Sequence, residues 1–200
     1  MTILITGITG MVGSHLLDFL MKNTDEQIVG ISRWRSPLDN ISRHIPEINK
    51  KNRLYLEHCD IRDSLGVQSI FAKNKFKFIF HLAAQSYPHV SFTNPIETYQ
   101  TNIDGTENIL NATLKFSPNS IVHVCSSSEV FGRVPKDKVP IDEETTFHPA
   151  SPYAISKCGT DLIGRYYAEA YDLNTQITRM FTHTGPRRGD VFMESTFAKQ

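Results

Sequence analysis

The first thirteen residues constrain the fold more than any other part of the chain. An apolar run, Met1-Thr-Ile-Leu-Ile-Thr6, enters a turn with glycine at every third position, Gly7, Gly10 and Gly13, and a segment with helical apolar spacing follows. In such a strand–turn–helix unit the first glycine permits a tight turn, the second lets a pyrophosphate approach the backbone, and the third allows close helix packing. The helix N-terminus then offers free N–H groups to phosphates. The alternative is a turn that binds nothing, since glycines are common in turns.

Short apolar or β-branched runs recur along the chain, separated by longer segments with helical apolar spacing. The candidate strands are Thr2–Thr6, Gln27–Ser32, Arg53–Glu57, Phe78–Leu82, Ser120–Cys125 and Thr175–Met180. Strands that alternate with helices form βαβ units with right-handed crossovers and a parallel sheet. Nearly continuous hydrophobicity within a run fits strands that are covered on both faces. The sequence therefore predicts an α/β fold with a doubly wound parallel sheet, the Rossmann arrangement.

The predicted sheet accounts for residues 1–180, which we interpret as an NAD(P)-binding Rossmann domain. After Met180 the chain enters a loop that contains Gly185-Pro-Arg-Arg-Gly189, and it ends at Gln200 after a stretch that resembles the start of a helix. Residues 181–200 are therefore interpreted as only the start of a smaller C-terminal substrate-binding region. Because this stretch is too short to close over a substrate, we expect the chain to be truncated.

Composition disfavours several classes of partner. The 21 Lys and Arg residues balance the 21 Asp and Glu residues, whereas a nucleic-acid binder normally shows a basic excess. No apolar stretch approaches the ~20 residues that span a bilayer, and the N-terminus lacks the basic region of a signal peptide. The eight histidines and three cysteines show no metal-ligand spacing. We expect a cytoplasmic protein that binds no nucleic acid, membrane or metal.

The end of the second strand bears on the choice between NAD and NADP. NAD sites usually place an acid there for the ribose 2′-hydroxyl, whereas arginine accommodates a 2′-phosphate. Here the strand ends with Arg33-Trp-Arg35, and no acid occurs before Asp39. A guanidinium matches phosphate with two parallel hydrogen bonds. The pattern favours NADP and leaves NAD open, because Arg33 and Arg35 are also compatible with simple solvated loop charges.

Two later motifs suggest acid–base chemistry. In Ser151-Pro-Tyr153-Ala-Ile-Ser-Lys157 the serine and proline are suited to begin a helix, which places Tyr153 and Lys157 on one face. A tyrosine has a reference pKa of ~10, and we expect the neighbouring ammonium and a cationic nicotinamide to lower it. Ser127 and Glu129 directly follow the fifth strand, at the edge where such sheets bind ligands. Each motif alone is unspecific, but with the glycine turn they form an ordered set.

In these motifs the chain resembles the extended short-chain dehydrogenase/reductase family. Within that family it is most similar to the GDP-mannose 4,6-dehydratases. The resemblance covers essentially all 200 residues. Besides the motifs above it rests on Cys59-Asp-Ile-Arg-Asp63, His81-Leu-Ala-Ala-Gln-Ser-Tyr-Pro-His-Val-Ser-Phe92, Thr101-Asn-Ile-Asp-Gly-Thr106 and Gly185-Pro-Arg-Arg-Gly189. Two tracts depart from the family pattern. Thr182 stands where the family usually has asparagine, and the sequence around Arg33 and Arg35 differs in detail.

The resemblance implies a role for each matching residue. It implies a cofactor site of Gly7, Thr9, Gly10, Met11, Val12, Gly13, Arg33, Arg35, Asp60, Ile61, Leu82, Ala83, Ala84, Tyr153 and Lys157. Asp60 would bond the adenine amine, and Ile61 would pack on its ring. Substrate contacts would come from Ser86, Ser127, Glu129 and Thr182. Catalysis would fall to Tyr153 as acid–base with Lys157 as its partner, to Ser127 at the sugar 4-hydroxyl, and to Glu129 as the base at C5.

The implied function is that of a nucleotide-sugar 4,6-dehydratase, acting on a GDP-hexose such as GDP-mannose. It would oxidise C4, eliminate water across C5–C6 and return the hydride to C6. The open alternatives are a C4 epimerase, a 4-keto reductase or a decarboxylase of the same family, or an inactive cofactor-binding fragment. Relatives also associate through the helices that begin near Pro95 and Pro152, which implies a homodimer or higher homo-oligomer. Apolar residues available for this contact are Ile109, Leu110, Leu114 and Leu162.

Overall fold

A computed structural model describes residues 1–50 and 53–200. The strands in this part of the chain are β1 (Thr2–Thr6), β2 (Gln27–Ser32), β3 (Leu54–His58), β4 (Phe76–His81), β5 (Ile121–Cys125) and β6 (Thr175–Thr178). The helices are α1 (Met11–Asn23), α2 (Ser64–Lys73), α3 (Pro88–Thr93), α4 (Pro95–Tyr99), α5 (Gly105–Phe116), α6 (Pro152–Tyr171) and α7 (Met193–Ala198). A π-helical turn, Gln100–Asp104, joins α4 to α5. Short 3-10 helices span Asp39–Glu47, Ser128–Phe131 and Lys136–Lys138.

The strands form one parallel sheet in the order β3-β2-β1-β4-β5-β6. The chain winds outward from β1 in one direction and then, starting at β4, in the other. The predicted doubly wound α/β fold is confirmed. In such sheets the connections on either side of the reversal diverge and leave a crevice beyond the carboxyl ends of the strands. Here that crevice lies between β1 and β4.

Strand ends differ from the sequence predictions where side chains compete for backbone groups. Leu82 was expected in β4, but its N–H donates to the Thr6 hydroxyl (3.1 Å) instead of to a neighbouring strand. Ser120 was expected in β5, but it lies just before the strand, where its hydroxyl donates to the carbonyl of Phe76 at the start of β4 (2.6 Å). The remaining strands agree with expectation or shift by one or two residues at an end.

Apolar layers cover both faces of the sheet. One layer centres on Leu4 and Ile79 and is covered by residues such as Phe71 and Ile109. The other joins strand residues such as Ile5 with Leu17 of α1. This two-sided burial explains the continuous apolar runs. It also corrects the suggested dimer residues, because Ile109 and Leu110 are fully buried inside the domain.

Two further features of the described residues concern membrane-spanning helices and clusters of metal-binding side chains. Within residues 1–50 and 53–200, no helix is long and apolar enough to cross a membrane. Over the same ranges, no cluster of three or more His, Cys, Asp or Glu side chains is arranged to hold a metal ion.

Candidate active site

The glycine turn brings backbone against backbone at the sheet's centre. Gly7 has a φ of 68°, and a Cβ there would stand 2.9 Å from the amide nitrogen of Ala83. A Cβ on Gly13 would stand 2.3 Å from the carbonyl oxygen of Gly7. Gly10 is the N-cap of α1, and its position lacks a side-chain cap. The first N–H groups of α1 are therefore left without a side-chain acceptor, as the binding of an anion requires.

A cavity of about 500 Å³ opens from this turn along the carboxyl ends of β1, β4 and β5. It brings together most of the residues named from the sequence: Gly7, Thr9, Gly10, Met11, Val12, Gly13, Arg33, Asp60, Ile61, Leu82, Ala83, Ala84, Ser86, Ser127, Tyr153 and Lys157. Arg35, Glu129 and Thr182 are not among the lining residues. Their predicted roles therefore need a ligand that reaches beyond the cavity, or a local rearrangement.

The first two turns of α6 carry the tyrosine and the lysine. Ser151 caps this helix, because its hydroxyl accepts the N–H of Ala154 (3.0 Å). Lys157 is buried, and its ammonium donates to the carbonyl of Cys125 at the end of β5 (2.8 Å). Burial lowers the pKa of Lys157. The Lys157 nitrogen lies 5.9 Å from the centre of the Tyr153 ring. The two side chains thus share one end of the cavity, as the spacing predicted.

Burial controls the protonation of Tyr153 in the protein alone. Burial raises its pKa to about 12, while a hydrogen bond with Ser127 acts in the opposite direction. In the protein alone Lys157 does not lower this pKa, because burial dominates and the lysine donates to the carbonyl of Cys125; the lowering by Lys157 together with a cationic nicotinamide stays a prediction. Tyr153 is therefore a neutral phenol at pH 7, able to donate a proton or a hydrogen bond into the cavity.

Glu129 lies at the rim beside the phenol. The Ser127 hydroxyl accepts the N–H of Glu129 (3.2 Å) and so caps the short helix Ser128–Phe131. The Glu129 side chain is exposed, yet close enough for its negative charge to contribute to the raised pKa of Tyr153. Among residues 1–50 and 53–200 its carboxylate has no hydrogen-bond or ion-pair partner. It is free to act on a ligand that crosses the rim.

A buried ion pair fixes the segment that follows Glu129. The carboxylate of Asp161 is fully buried and accepts hydrogen bonds from Arg179 at 2.8 and 3.1 Å. The same guanidinium lies against the rings of Phe131 and Phe147. These contacts hold both ends of the 132–146 loop against α6. Neither Asp161 nor Arg179 was singled out from the sequence, since their pairing depends on the tertiary fold.

Basic residues surround the end of β2. Arg33 lines the cavity, whereas Arg35 lies with Arg33 and Arg62 in a shallow neighbouring groove. Arg62 already forms a two-pronged ion pair with Asp60 (2.7 and 3.0 Å), and this hydrogen bonding lowers the pKa of Asp60. Arg33 and Arg35 have no such partner among the described residues. They are the guanidinium groups left available for a phosphate.

The C-terminal loop supplies a cation beside the glycine turn. Arg187 lines the cavity and pairs with Asp18 of α1 (2.6 Å). Asn40 donates to the carbonyls of Thr9 (2.9 Å) and Arg187 (3.3 Å), which ties the loop to the turn. One terminal nitrogen of Arg187, Nη1, is buried without a hydrogen-bond partner. Buried donors are normally satisfied, so this one is suited to an anionic ligand. The Pro-Arg-Arg motif was visible in the sequence, but its position was not.

The fold and this cavity define a doubly wound domain of the short-chain dehydrogenase/reductase type. The chain belongs to the GDP-mannose 4,6 dehydratase family, whose sequence model matches residues 4–200.

Individual relatives agree with this family. A GDP-mannose 4,6 dehydratase of Drosophila melanogaster is 38% identical, over 95% of this chain and 49% of its own length. A dTDP-glucose 4,6-dehydratase of Salmonella typhimurium is 34% identical, over 93% of this chain and 55% of its own. The chain thus spans about half the length of the curated relatives that it matches.

A solved structure shows the same fold. The dTDP-glucose 4,6-dehydratase of Streptomyces venezuelae, solved with NAD bound, is 26% identical with a TM-score of 0.88. The match covers 100% of this chain and 61% of that one.

Proposed function

We propose that this chain forms the cofactor-binding and catalytic part of a nucleotide-sugar 4,6-dehydratase, a lyase that acts on a GDP-hexose such as GDP-mannose. The observation that carries the proposal is that Tyr153 and Ser127 line one end of a dinucleotide-sized cavity, with Glu129 outside the lining but near enough to affect the pKa of Tyr153. The family description and the Drosophila relative support a GDP-sugar. Other relatives are dTDP-glucose 4,6-dehydratases, so a dTDP-hexose is the alternative substrate.

The cavity fits a dinucleotide. The close approaches at Gly7 and Gly13 form a cradle that a Cβ would fill. The N-terminus of α1, which lacks a side-chain cap, would receive the pyrophosphate, and Arg187 is among the residues that line the cavity. When bound, the dinucleotide would supply the acceptor and donor of hydride. Gly10, Met11 and Val12 would hold its phosphates, with Asp60 and Ile61 at the adenine. Tyr153 and Lys157 would lie at its nicotinamide end.

The chain's own residues then account for the proton transfers. Tyr153 would take the proton of the sugar 4-hydroxyl as C4 is oxidised, with Ser127 hydrogen-bonded to that oxygen. The raised pKa of Tyr153 makes the phenolate a strong base, which has to be stabilised in the liganded site by Lys157 and Ser127. The resulting 4-ketone acidifies C5, so that Glu129 would remove the C5 proton as the C6 hydroxyl leaves. Glu129 would pass that proton to the departing hydroxide, which leaves as water. A proton from solvent would later return to C5 as C6 receives hydride, which completes the 4-keto-6-deoxy sugar.

Three further parts of the proposal rest on the sequence. The boundary between a cofactor domain at 1–180 and a substrate region from 181 stays a prediction, as does a cytoplasmic location. Substrate contacts by Ser86 and Thr182 also stay predictions. Ser86 lines the cavity, and Thr182 is exposed outside it.

The structure supports NADP as the preferred cofactor through the free guanidinium groups of Arg33 and Arg35, although a structural relative was solved with NAD. We predict that Arg33→Ala weakens NADPH binding by about 10- to 100-fold, because one charge-assisted hydrogen bond is worth ~1.5–3 kcal/mol. NADH binding should change little. Fluorescence titration of both nucleotides measures this, with the exposed Lys22→Ala on α1 as the control for lost charge. Equal affinity of the wild type for both nucleotides, or an unchanged NADPH affinity in Arg33→Ala, would contradict the preference.

The chemistry itself is tested at Glu129. Glu129→Gln keeps the shape of the side chain but removes the base, so formation of the 4-keto-6-deoxy product from GDP-mannose should fall ~10²–10⁴-fold. Deuterium from heavy water should enter C5 in the wild type and not in the variant. Cofactor binding should persist, because the phosphate cradle lies elsewhere. Glu144→Gln, an exposed acid on the nearby loop, serves as the matched control.

Two results would overturn this mechanism. Turnover by the wild type without solvent deuterium at C5 would favour an epimerase, reductase or decarboxylase. Incorporation by Glu129→Gln at the wild-type rate would assign the base to another residue.

We also propose a homodimer through the outer surfaces of α3, α4 and α6. Large apolar side chains are exposed there, namely Phe92, Ile96, Ile155, Leu162 and Tyr166. Light scattering at micromolar concentration should give twice the monomer mass, and Leu162→Lys should reduce it to that of a monomer. Leu65→Lys, on the exposed surface of α2, should leave the mass unchanged. A monomeric wild type would exclude this interface.

A further inference from the structure

The two strands at the reversal of the sheet are joined by side chains at their carboxyl ends. The hydroxyl of Thr6, the last residue of β1, lies 2.9 Å from Nδ1 of His81, the last residue of β4. On the other side of the ring, Nε2 of His81 lies 3.1 Å from the hydroxyl of Thr106 on α5. All three residues are buried. The chain of contacts thus runs from β1 through β4 to α5.

The position of each proton in the Thr6–His81–Thr106 series of hydrogen bonds follows from the neighbouring groups. The Thr106 hydroxyl lies 2.6 Å from the carbonyl oxygen of Asn102, and a carbonyl can only accept. The single proton of Thr106 is therefore used, and His81 has to donate to it from Nε2. Nδ1 of His81 is then a bare acceptor, to which the Thr6 hydroxyl donates.

The contacts of Thr6, at the other end of this series of hydrogen bonds, require the same proton positions on His81. The Thr6 oxygen accepts the backbone N–H groups of Leu82 (3.1 Å) and Ala83 (3.0 Å). These two bonds occupy both lone pairs of the hydroxyl, so Thr6 has only its proton left for His81. A doubly protonated ring would direct a third donor at an oxygen without a free lone pair. Burial and the nearby Lys157 and His123 also lower the pKa of His81, to about 3, which keeps the ring neutral.

The backbone groups of Leu82 and Ala83, which the Thr6 hydroxyl binds, form a wall of the cavity. Leu82 and Ala83 line it, and the backbone of Ala83 is what a Cβ on Gly7 would meet first, at 2.9 Å. The Thr6 hydroxyl therefore sets the orientation of two peptide groups against the glycine turn. Thr6, His81 and Thr106 themselves are outside the lining residues, so they act through the backbone that they hold.

We propose that Thr6, His81 and Thr106 form a hydrogen-bond chain of fixed polarity that positions the Leu82–Ala83 backbone for dinucleotide binding. The three are positioning residues, and their role rests on the proposed cofactor site. The direction of the chain explains why a histidine is suited to its centre. In its neutral form histidine offers one acceptor and one donor on opposite sides of a rigid ring.

The first test compares two substitutions at Thr6 in the full chain. Thr6→Val keeps the shape but removes the hydroxyl, so the N–H groups of Leu82 and Ala83 lose their acceptor and turn to other partners. NADPH and NADH should then each bind about 10- to 100-fold more weakly. Thr6→Ser restores the hydroxyl and should stay within about threefold of the wild type. Dissociation constants are measured well below each variant's melting temperature, so that a change in global stability does not alter them.

A second measurement needs no variant. Nitrogen-15 NMR of wild-type protein labelled in histidine should show His81 with a proton on Nε2 only, from pH 7 down to pH 5. A proton on Nδ1, or on both nitrogens in this range, would overturn the proposed polarity.

The binding results separate this proposal from the one on which it rests. A wild type that binds neither NADPH nor NADH would overturn the cofactor site, and the positioning role with it. A wild type that binds, together with a folded Thr6→Val of equal affinity, would overturn the positioning role alone. If Thr6→Val does not fold, Thr106→Val provides the same comparison from the far end of the chain. Thr106→Val should weaken the binding of NADPH and of NADH severalfold. An unchanged affinity for both nucleotides would again contradict the proposal.

Discussion

The whole site depends on how closely two backbones approach each other where the sheet reverses direction. The turn after β1 and the segment after β4 come so near at Gly7 and Ala83 that a single Cβ would collide. This contact leaves the N-terminus of α1 open beside the carboxyl ends of the central strands. Phosphates are bound at such helix ends by N–H groups and the helix dipole. The shape of the cavity is therefore a consequence of backbone geometry before any side chain contributes.

At the other end of the cavity, burial controls the chemistry. A lysine that loses its hydration needs a polar partner, and Lys157 finds one in the carbonyl of Cys125. The same environment raises the pKa of Tyr153. The free protein therefore presents a neutral phenol next to a buried lysine, whose own pKa is lowered by burial. In the proposed mechanism, catalysis by this pair would depend on a bound ligand that changes the local charge, and cofactor binding would thereby be coupled to the acid–base step.

Local patterns predicted much of this arrangement, and long-range contacts account for what they missed. Apolar runs predicted the sheet, and four-residue spacing placed Tyr153 and Lys157 on one face of α6. Burial, which no spacing reveals, raises the pKa of Tyr153 in the protein alone. Arg35, with a positive φ of 67°, lies outside the cavity that was expected to include it. The Thr6–His81–Thr106 chain joins residues far apart in sequence, so no local pattern shows it.

The most direct test of the central claim is a crystal structure of the chain with NADPH bound. We predict density for the dinucleotide in the crevice between β1 and β4. Its pyrophosphate should lie at Gly10 and the start of α1, and its nicotinamide end should lie beside Tyr153 and Lys157. Binding at another surface, or in the reverse direction with the adenine at Tyr153, would contradict the assignment of the site.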